Sequence, residues 1–402
     1  MLSSFKKIIK KNPVVYFLNS TYKASRALSE QKKLFRYYKE KSLRNNVIYS
    51  EGQAIKNVVF KIRKKSKFLP KNKGDLNIFW LGTHYDQDYS GFIQGLRKFG
   101  KVTEFICDYN GYDRNKWISV PLIGKRLCAP VLNENILSQV MIANKKNKLD
   151  LFIGQLSGEA VDYRILKKIQ DVGITTINIA MDDKISDLWG WEKDVRLGSV
   201  GLKDGLDFVL TTFPESCLWY AVEGCDAFYW PLASSPEVFS PKKEKDIDVV
   251  FVGSNYGARG KLIKKIKQAG INVQAYGPGF PNGAIKVLEQ ANLFSRSKII
   301  LGTGYVSYNK NILTLKLRDF DGPMSGALYL TNRNPDLLKL FKEGEEIECF
   351  DTIDECIKKI KYYLANDDER IKIAGAGLRK AKTEHTWENR IEGIFKKLEI
   401  IN

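Results

Sequence analysis

Histidine is nearly absent from this 402-residue chain, which has only His84 and His385. Its six cysteines (Cys107, Cys128, Cys217, Cys225, Cys349 and Cys356) are scattered and include no C-x-x-C pair. A Cys/His zinc site is therefore not expected, and the thiols read as the reduced cysteines of a cytosolic protein. Neither G-x-G-x-x-G nor G-x-x-x-x-G-K-[ST] occurs, which weighs against dinucleotide-binding and P-loop readings. No apolar run approaches the roughly 20 residues that span a bilayer. Behind the basic N-terminus the apolar stretch Val14 to Leu18 is too short for a signal-peptide core, so no cleaved leader is expected. Acidic residues are scarce at that end: residues 1–74 hold 20 Lys/Arg against 3 Asp/Glu, and residues 75–402 hold 45 against 43.

The net charge of +19 thus belongs to one segment, and the body is nearly neutral. That placement argues against a generally basic nucleic-acid binder and for a local surface that meets something anionic. In residues 1–74, Phe5, Ile8 and Ile9 punctuate a Lys-rich start, and Leu34, Phe35, Tyr37 and Tyr38 sit among Lys32, Lys33, Arg36, Lys39 and Lys41. Aromatics interleaved with cations suit an anionic membrane surface; a helical extension packed on the body is the equal alternative. The run from Lys61 to Gly74 reads as a linker.

With 44% hydrophobic residues the remainder is globular and large enough for two domains. From Leu76, apolar strands alternate with helical stretches: Asn77–Leu81, Val102–Cys107, Leu149–Ile153, Thr175–Ala180, Phe208–Thr211 and Ala227–Trp230, with helices such as Tyr89–Phe99 and Val161–Val172 between them. Pro231, Pro236 and Pro241 interrupt the pattern. A second series follows: Ile247–Val252, Val273–Tyr276, Ile299–Leu301, Ala327–Thr331 and Ile347–Phe350, with helices including Gly260–Ala269 and Asp336–Phe341. Such alternation implies two parallel, doubly wound sheets. The end is helical, with Thr352, Asp367 and Thr386 as N-caps. The expected division is 1–74, 75–240, 241–383 and a C-terminal helix 384–402 that crosses back to the first domain.

Chemistry concentrates in K-L-R-D-F-D-G-P-M-S-G. Lys316 and Arg318 precede the carboxylate Asp321, and the small turn Ser325-Gly326 leads into a strand. Cations, an acceptor for ribose hydroxyls and open backbone amides are what a nucleoside diphosphate needs. In F-V-G-S-N-Y-G-A-R, Gly253 and Ser254 follow a strand and precede a helix, a phosphate-cradling arrangement to which Arg259 adds a forked donor. In the first half, His84 lies in a loop at a strand's carboxyl end, where it could serve as a base or touch a phosphate. Asp182 and Asp183 end another strand at the same edge.

F-V-G-S-N-Y-G-A-R, A-Y-G-P-G-F, K-L-R-D-F-D-G-P-M-S-G-A-L-Y-L-T, F-K-E-G-E-E-I and H-T-W-E-N-R together resemble the GT-B glycosyltransferases, specifically the group with the "glycosyltransferase family 1-like" C-terminal domain found in spore-maturation glycosyltransferases. The resemblance spans about residues 205–395. It implies an α/β GT-B fold of two facing Rossmann-like domains. It also implies that Asp321 binds the donor ribose, Lys316 and Arg318 neutralise the diphosphate, and Ser325 and Gly326 present amides. Gly253, Ser254 and Arg259 would line the phosphate side, with Gly277 close to the nucleoside. Asp182 is the first candidate for a catalytic or acceptor-binding carboxylate. The chain has Asp321 where the family usually has Glu. Asp86-Gln87-Asp88 and Asp319-Phe320-Asp321 spell D-x-D, a metal motif of the other glycosyltransferase fold, but in GT-B enzymes cations and helix dipoles stabilise the leaving group.

The expectation is a cytoplasmic, metal-independent glycosyltransferase without a cofactor. It would move sugar from a nucleotide-sugar to a glycan, lipid-linked or other cell-surface acceptor, as in polysaccharide biosynthesis. The basic segment would hold it peripherally on the membrane's inner face. The rivals are a DNA-modifying glycosyltransferase guided by the basic arm and a non-catalytic GT-B scaffold that serves as a binding module.

Overall fold

The computed structural model describes residues 13–66, 69–107, 110–111, 124–242, 244–306 and 309–402. Phe5, Ile8 and Ile9 lie outside them. The chain separates into two compact units. One comprises Tyr37–Val238 and Thr383–Asn402; the other takes residues up to Arg36 together with Phe239–Lys382.

The first unit is built on a six-stranded parallel sheet of order β2-β1-β3-β4-β7-β8. Its strands are β1 (Leu76–Gly82), β2 (Gly100–Ile106), β3 (Leu151–Gly154), β4 (Thr175–Ala180), β7 (Phe208–Thr211) and β8 (Ala227–Tyr229). A short hairpin, β5 (Trp191–Glu192) and β6 (Val195–Arg196), lies between β4 and β7. The central strands β3 and β4 are buried along their whole length, as a sheet covered on both faces requires. The chain winds outward from β1 to β2 and then reverses to β3, so the topological switch point lies between β1 and β3.

The N-terminal segment is not one extension. Helix α1 (Pro13–Arg44) is followed by α2 (Glu51–Ser66), which packs on the first unit through Ala54, Val58 and Ile62, all buried. These positions recur every fourth residue and form one helical stripe. On the neighbouring face, Lys61 pairs with Asp226 at 2.7 Å, and Lys65 donates to the buried Asp207 at 2.6 Å. The expected linker from Lys61 is therefore helical as far as Ser66. Tyr38, expected on a membrane face, is core: it stacks on Trp219 at 5.1 Å and donates to Glu223.

The last helix, Trp387–Lys397, completes the first unit. Thr386 caps it by accepting from the Asn389 amide. Trp387 is buried edge-on to Phe92, 5.2 Å away, with Trp230 at 5.6 Å. Gly95 lets the helices approach, since a Cβ there would lie 2.7 Å from that of Trp387.

The second unit carries a five-stranded parallel sheet of order β10-β9-β11-β14-β15. Its strands are β9 (Ile247–Val252), β10 (Val273–Tyr276), β11 (Ser297–Leu301), β14 (Leu328–Asn332) and β15 (Glu348–Phe350), with a separate antiparallel pair, β12 (Tyr305–Val306) and β13 (Asn309–Leu313), between β11 and β14 in the chain. Val249, Phe251, Ile263, Ile266, Leu328 and Ile360 centre its core. Here the chain runs outward from β9 to β10 and reverses to β11, so the switch point lies between β9 and β11. The expected helix Asp336–Phe341 is instead a series of turns between Pro335 and Gly344, too short to sustain a helix.

Candidate functional site

At the carboxyl end of β9, Gly253 has φ 154° and a Cβ there would lie 2.5 Å from Arg318 Nη1. Gly277, at the end of β10, has φ 130° and would push a Cβ to 2.2 Å from the Gly253 carbonyl oxygen. Two strand ends therefore meet backbone to backbone, and only glycine fits. Between Gly253 and the helix Arg259–Gln268 runs the loop Ser254–Ala258; the helix N-terminus has no side-chain cap.

Two guanidinium groups flank Gly253. Arg259, 5% exposed, donates to the Ser254 carbonyl at 3.1 Å and to the Thr303 hydroxyl at 3.3 Å, and lies over the Tyr256 ring at 4.2 Å. Arg318, 9% exposed, donates to the Val252 carbonyl at 2.8 Å and the Thr303 carbonyl at 3.2 Å, over the Phe251 ring. Neither forms a salt bridge among the described residues. Burial, with the neighbouring Arg318 charge, pushes the Arg259 guanidinium down to about 10. Two like charges are held in low dielectric at the switch point of the sheet, and the carboxylate that acts on both, Asp319, forms a salt bridge with neither.

Lys316 is half-buried, and its amide donates to Asp319 Oδ2 at 2.7 Å. Asp319 also accepts from the Tyr329 hydroxyl, and burial holds its carboxyl above the usual range. Asp321 lies on the same short helix, Arg318–Met324, and is 1% exposed. Gly253, Ser254, Arg259, Gly277, Lys316 and Arg318 thus gather around the carboxyl edge.

Ser325 and Gly326 do not join them. The helix Arg318–Met324 carries the chain away from the carboxyl edge, so the turn falls at the amino edge, next to β14. The Ser325 carbonyl accepts from Lys245, just before β9, at 3.2 Å. The turn's amides are not open: Ser325 N donates to Asp321 O and Gly326 N to Pro323 O.

Sequence reading missed the Gly302-Thr303-Gly304 loop after β11. Thr303 receives both arginines, and the Gly304 amide donates to Asn332 Oδ1 at 2.7 Å. Thr314 Oγ1, Asn332 Nδ2, Asn334 Nδ2 and Arg318 Nε are buried beside this loop without a hydrogen-bond partner. The signal was the small-polar-small triplet at a strand's carboxyl end.

In the first unit, a cavity of about 240 Å³ opens at the carboxyl edge and is lined by Thr83, Gln155, Met181, Asp182, Asp183 and Ser199, among others. It falls at the β1/β3 switch point. Asp182 is half-buried and faces this space. Asp183 is buried and accepts from Thr211 at 2.7 Å and Tyr220 at 3.0 Å; burial raises its carboxyl to about 6. Half-buried His84 occupies the N-cap position of the turn Tyr85–Asp88, next to Thr83. Of the D-x-D carboxylates, Asp88 is engaged by the Trp80 indole at 3.2 Å.

Residues 259–396 match the family model "Glycosyl transferase-like". No curated protein matches the sequence. Among solved structures, sucrose-phosphate synthase from Thermosynechococcus elongatus aligns with a TM-score of 0.56 at 12% identity, covering 81% of this chain and 99% of its own. Anabaena HepE in complex with UDP and glucose aligns at 0.55 and 9%, over 81% and 99%. A putative UDP-N-acetylglucosamine 2-epimerase from Listeria monocytogenes aligns at 0.50 and 10%, over 82% and 98%. The fold alone does not select the reaction, since an epimerase shares it; the family match does. Residues 259–396 form a glycosyl transferase-like domain within a chain of GT-B fold.

Proposed function

We propose that the protein transfers a glycosyl group from a nucleotide-sugar to a glycan, lipid-linked or other cell-surface acceptor, with side-chain cations rather than a metal ion meeting the leaving diphosphate. The observation that carries this is the pair Arg259 and Arg318, buried side by side with no salt bridge to either among the described residues. An anion seated there relieves their repulsion and is held by charge-assisted bonds. HepE, of the same fold, is seen with UDP and glucose, which supports a uridine nucleotide as the first donor to test.

In the reaction the acceptor hydroxyl oxygen forms a bond to the anomeric carbon. The bond from that carbon to the diphosphate oxygen breaks, and the diphosphate leaves with the electron pair. Arg259, Arg318 and Lys316 stabilise the charge that develops there. The hydroxyl proton passes to a general base, for which Asp182 is the first candidate and His84 the second. Buried Asp321 keeps its proposed role as acceptor for the donor ribose.

A thermal-shift screen of nucleoside diphosphates and their sugars tests the donor site. A ligand that binds the native state raises the melting temperature; no shift across the panel contradicts the reading.

We also propose peripheral attachment to an anionic membrane through the N-terminal segment. Leu43, Ile48 and Phe60 are each at least 65% exposed there, and Lys64 lies over the Phe60 ring. Among the described residues no helix is long and apolar enough to cross a membrane. Flotation with vesicles of anionic phospholipid should carry the wild type upward and leave an Ile48→Glu/Phe60→Glu variant behind; equal flotation would refute attachment by this surface.

A further inference from the structure

We propose that a groove on the first unit is a subsite for the distal sugars of an extended, uncharged oligosaccharide. This deepens the glycosyltransferase reading and rests on it. The groove encloses about 860 Å³ and is separate in lining from the 240 Å³ cavity except for the shared wall Glu159–Val161. An acceptor whose end group occupies the smaller cavity would have its chain alongside this wall.

Three aromatic side chains line the groove and are exposed: Trp191 at 64%, Tyr37 at 45% and Tyr163 at 38%. Large aromatics left in solvent on one concave surface have no role in the core. The apolar face of a pyranose ring, with its axial C–H bonds, stacks on such rings, while the equatorial hydroxyls need acceptors and donors around the edge. The lining supplies both, with six cations and seven carboxylates. This near-balance of charge disfavours a nucleic acid or other polyanion, which needs an excess of cations.

The main platform is fixed in advance. Trp191 and Arg196 are directly opposed across the hairpin, and the guanidinium lies over one indole face at 5.3 Å. Arg196 is anchored from behind by its bond to the Tyr38 hydroxyl at 3.3 Å. The hairpin backbone is seated on Gly158 and Gly201, where a Cβ would lie 2.2 Å from the Arg196 carbonyl oxygen in both cases. An indole held this way loses little freedom on binding, the condition for stacking to yield net affinity.

The test is affinity electrophoresis of the full chain through native gels containing dextran, mannan or hydroxyethyl cellulose. The wild type should be retarded by at least one polymer, and Trp191→Ala should bind that polymer roughly tenfold more weakly or worse, with Trp191→Phe retaining part of the retardation. Unchanged melting temperatures would show that the variants are folded, as expected for an exposed position. Wild-type mobility unaffected by every polymer, or equal retardation of Trp191→Ala, overturns the proposal. The wild type's thermal-shift response to nucleoside diphosphates separates the two readings: a response without polysaccharide retardation sinks the groove alone.

Discussion

Arg259 and Arg318 make different contributions although both are buried. Arg318 is committed to two carbonyl oxygens at the ends of β9 and its neighbouring loop, so its removal would also loosen the strand ends. Arg259 has weaker bonds, to Thr303 and Ser254, and is the better probe. Replacing Arg259 with Gln should weaken nucleoside diphosphate binding roughly tenfold to a hundredfold, the range for losing a charge-assisted hydrogen bond, as measured by calorimetry. Asp183 gives a pH prediction. Its carboxyl is raised to about 6 by burial, so above the ordinary value of about 3.9 the native state still holds a proton that the unfolded chain has released. Stability due to this group therefore falls as pH rises from about 4 to about 6, by up to about 3 kcal/mol. Asp183→Asn, which cannot titrate, should flatten the dependence of melting temperature on pH across that window; an unchanged slope would show that Asp183 is not its source.

At the scale of elements, the strand ends depend on glycine. Gly277→Ala would place a methyl against the Gly253 carbonyl and force an alanine to φ 130°. It should cost at least about 2 kcal/mol in chemical denaturation and also weaken nucleoside diphosphate binding, because the same backbone shapes the loop. The strands themselves were legible from their apolar runs: Thr175–Ala180, Phe208–Thr211, Ile247–Val252 and Val273–Tyr276 fall where hydrophobicity and flanking turns put them. What was not legible depended on partners far away in sequence. Lys61–Ser66 reads as a charged linker until Asp226 and Asp207 are brought to it, after which the spacing of its lysines is that of a helix face. Ser325-Gly326 looked like part of the site because it is close in sequence to Arg318, yet a helix of two turns is enough to take it to the opposite edge of the sheet. The aromatic groove was invisible for the same reason, since Tyr37, Tyr163 and Trp191 are far apart in the chain.

On the scale of the whole molecule, sequence order and folding units do not coincide. The first unit needs residues from both its long segment and the tail Thr383–Asn402. Its core includes Trp387 against Phe92 and Trp230. Trp387→Ala should destabilise this unit by about 3–5 kcal/mol, and ending the chain at Thr383 should give an unstable or insoluble product even though the strands of both sheets remain intact. Cooperative unfolding of a truncated chain at the full-length melting temperature would contradict that assignment. The basic N-terminus shows the same principle, because many of its cations face carboxylates of the first unit, such as Lys41 to Glu223 at 3.0 Å and Lys71 to Asp150 at 2.7 Å. The segment's own excess of cations, 20 against 3, therefore overstates the charge concentrated on that surface.

The central claim is sugar transfer from a nucleotide-linked donor held by buried cations. It is tested most directly by following nucleoside diphosphate release from a panel of nucleotide-sugars, with a chelator present, for the wild type and for Arg259→Gln. The account predicts release from at least one donor by the wild type in the chelator, and a rate at least tenfold lower for Arg259→Gln under the same subsaturating donor concentration. No release from any donor, or equal rates for the two proteins, would contradict it.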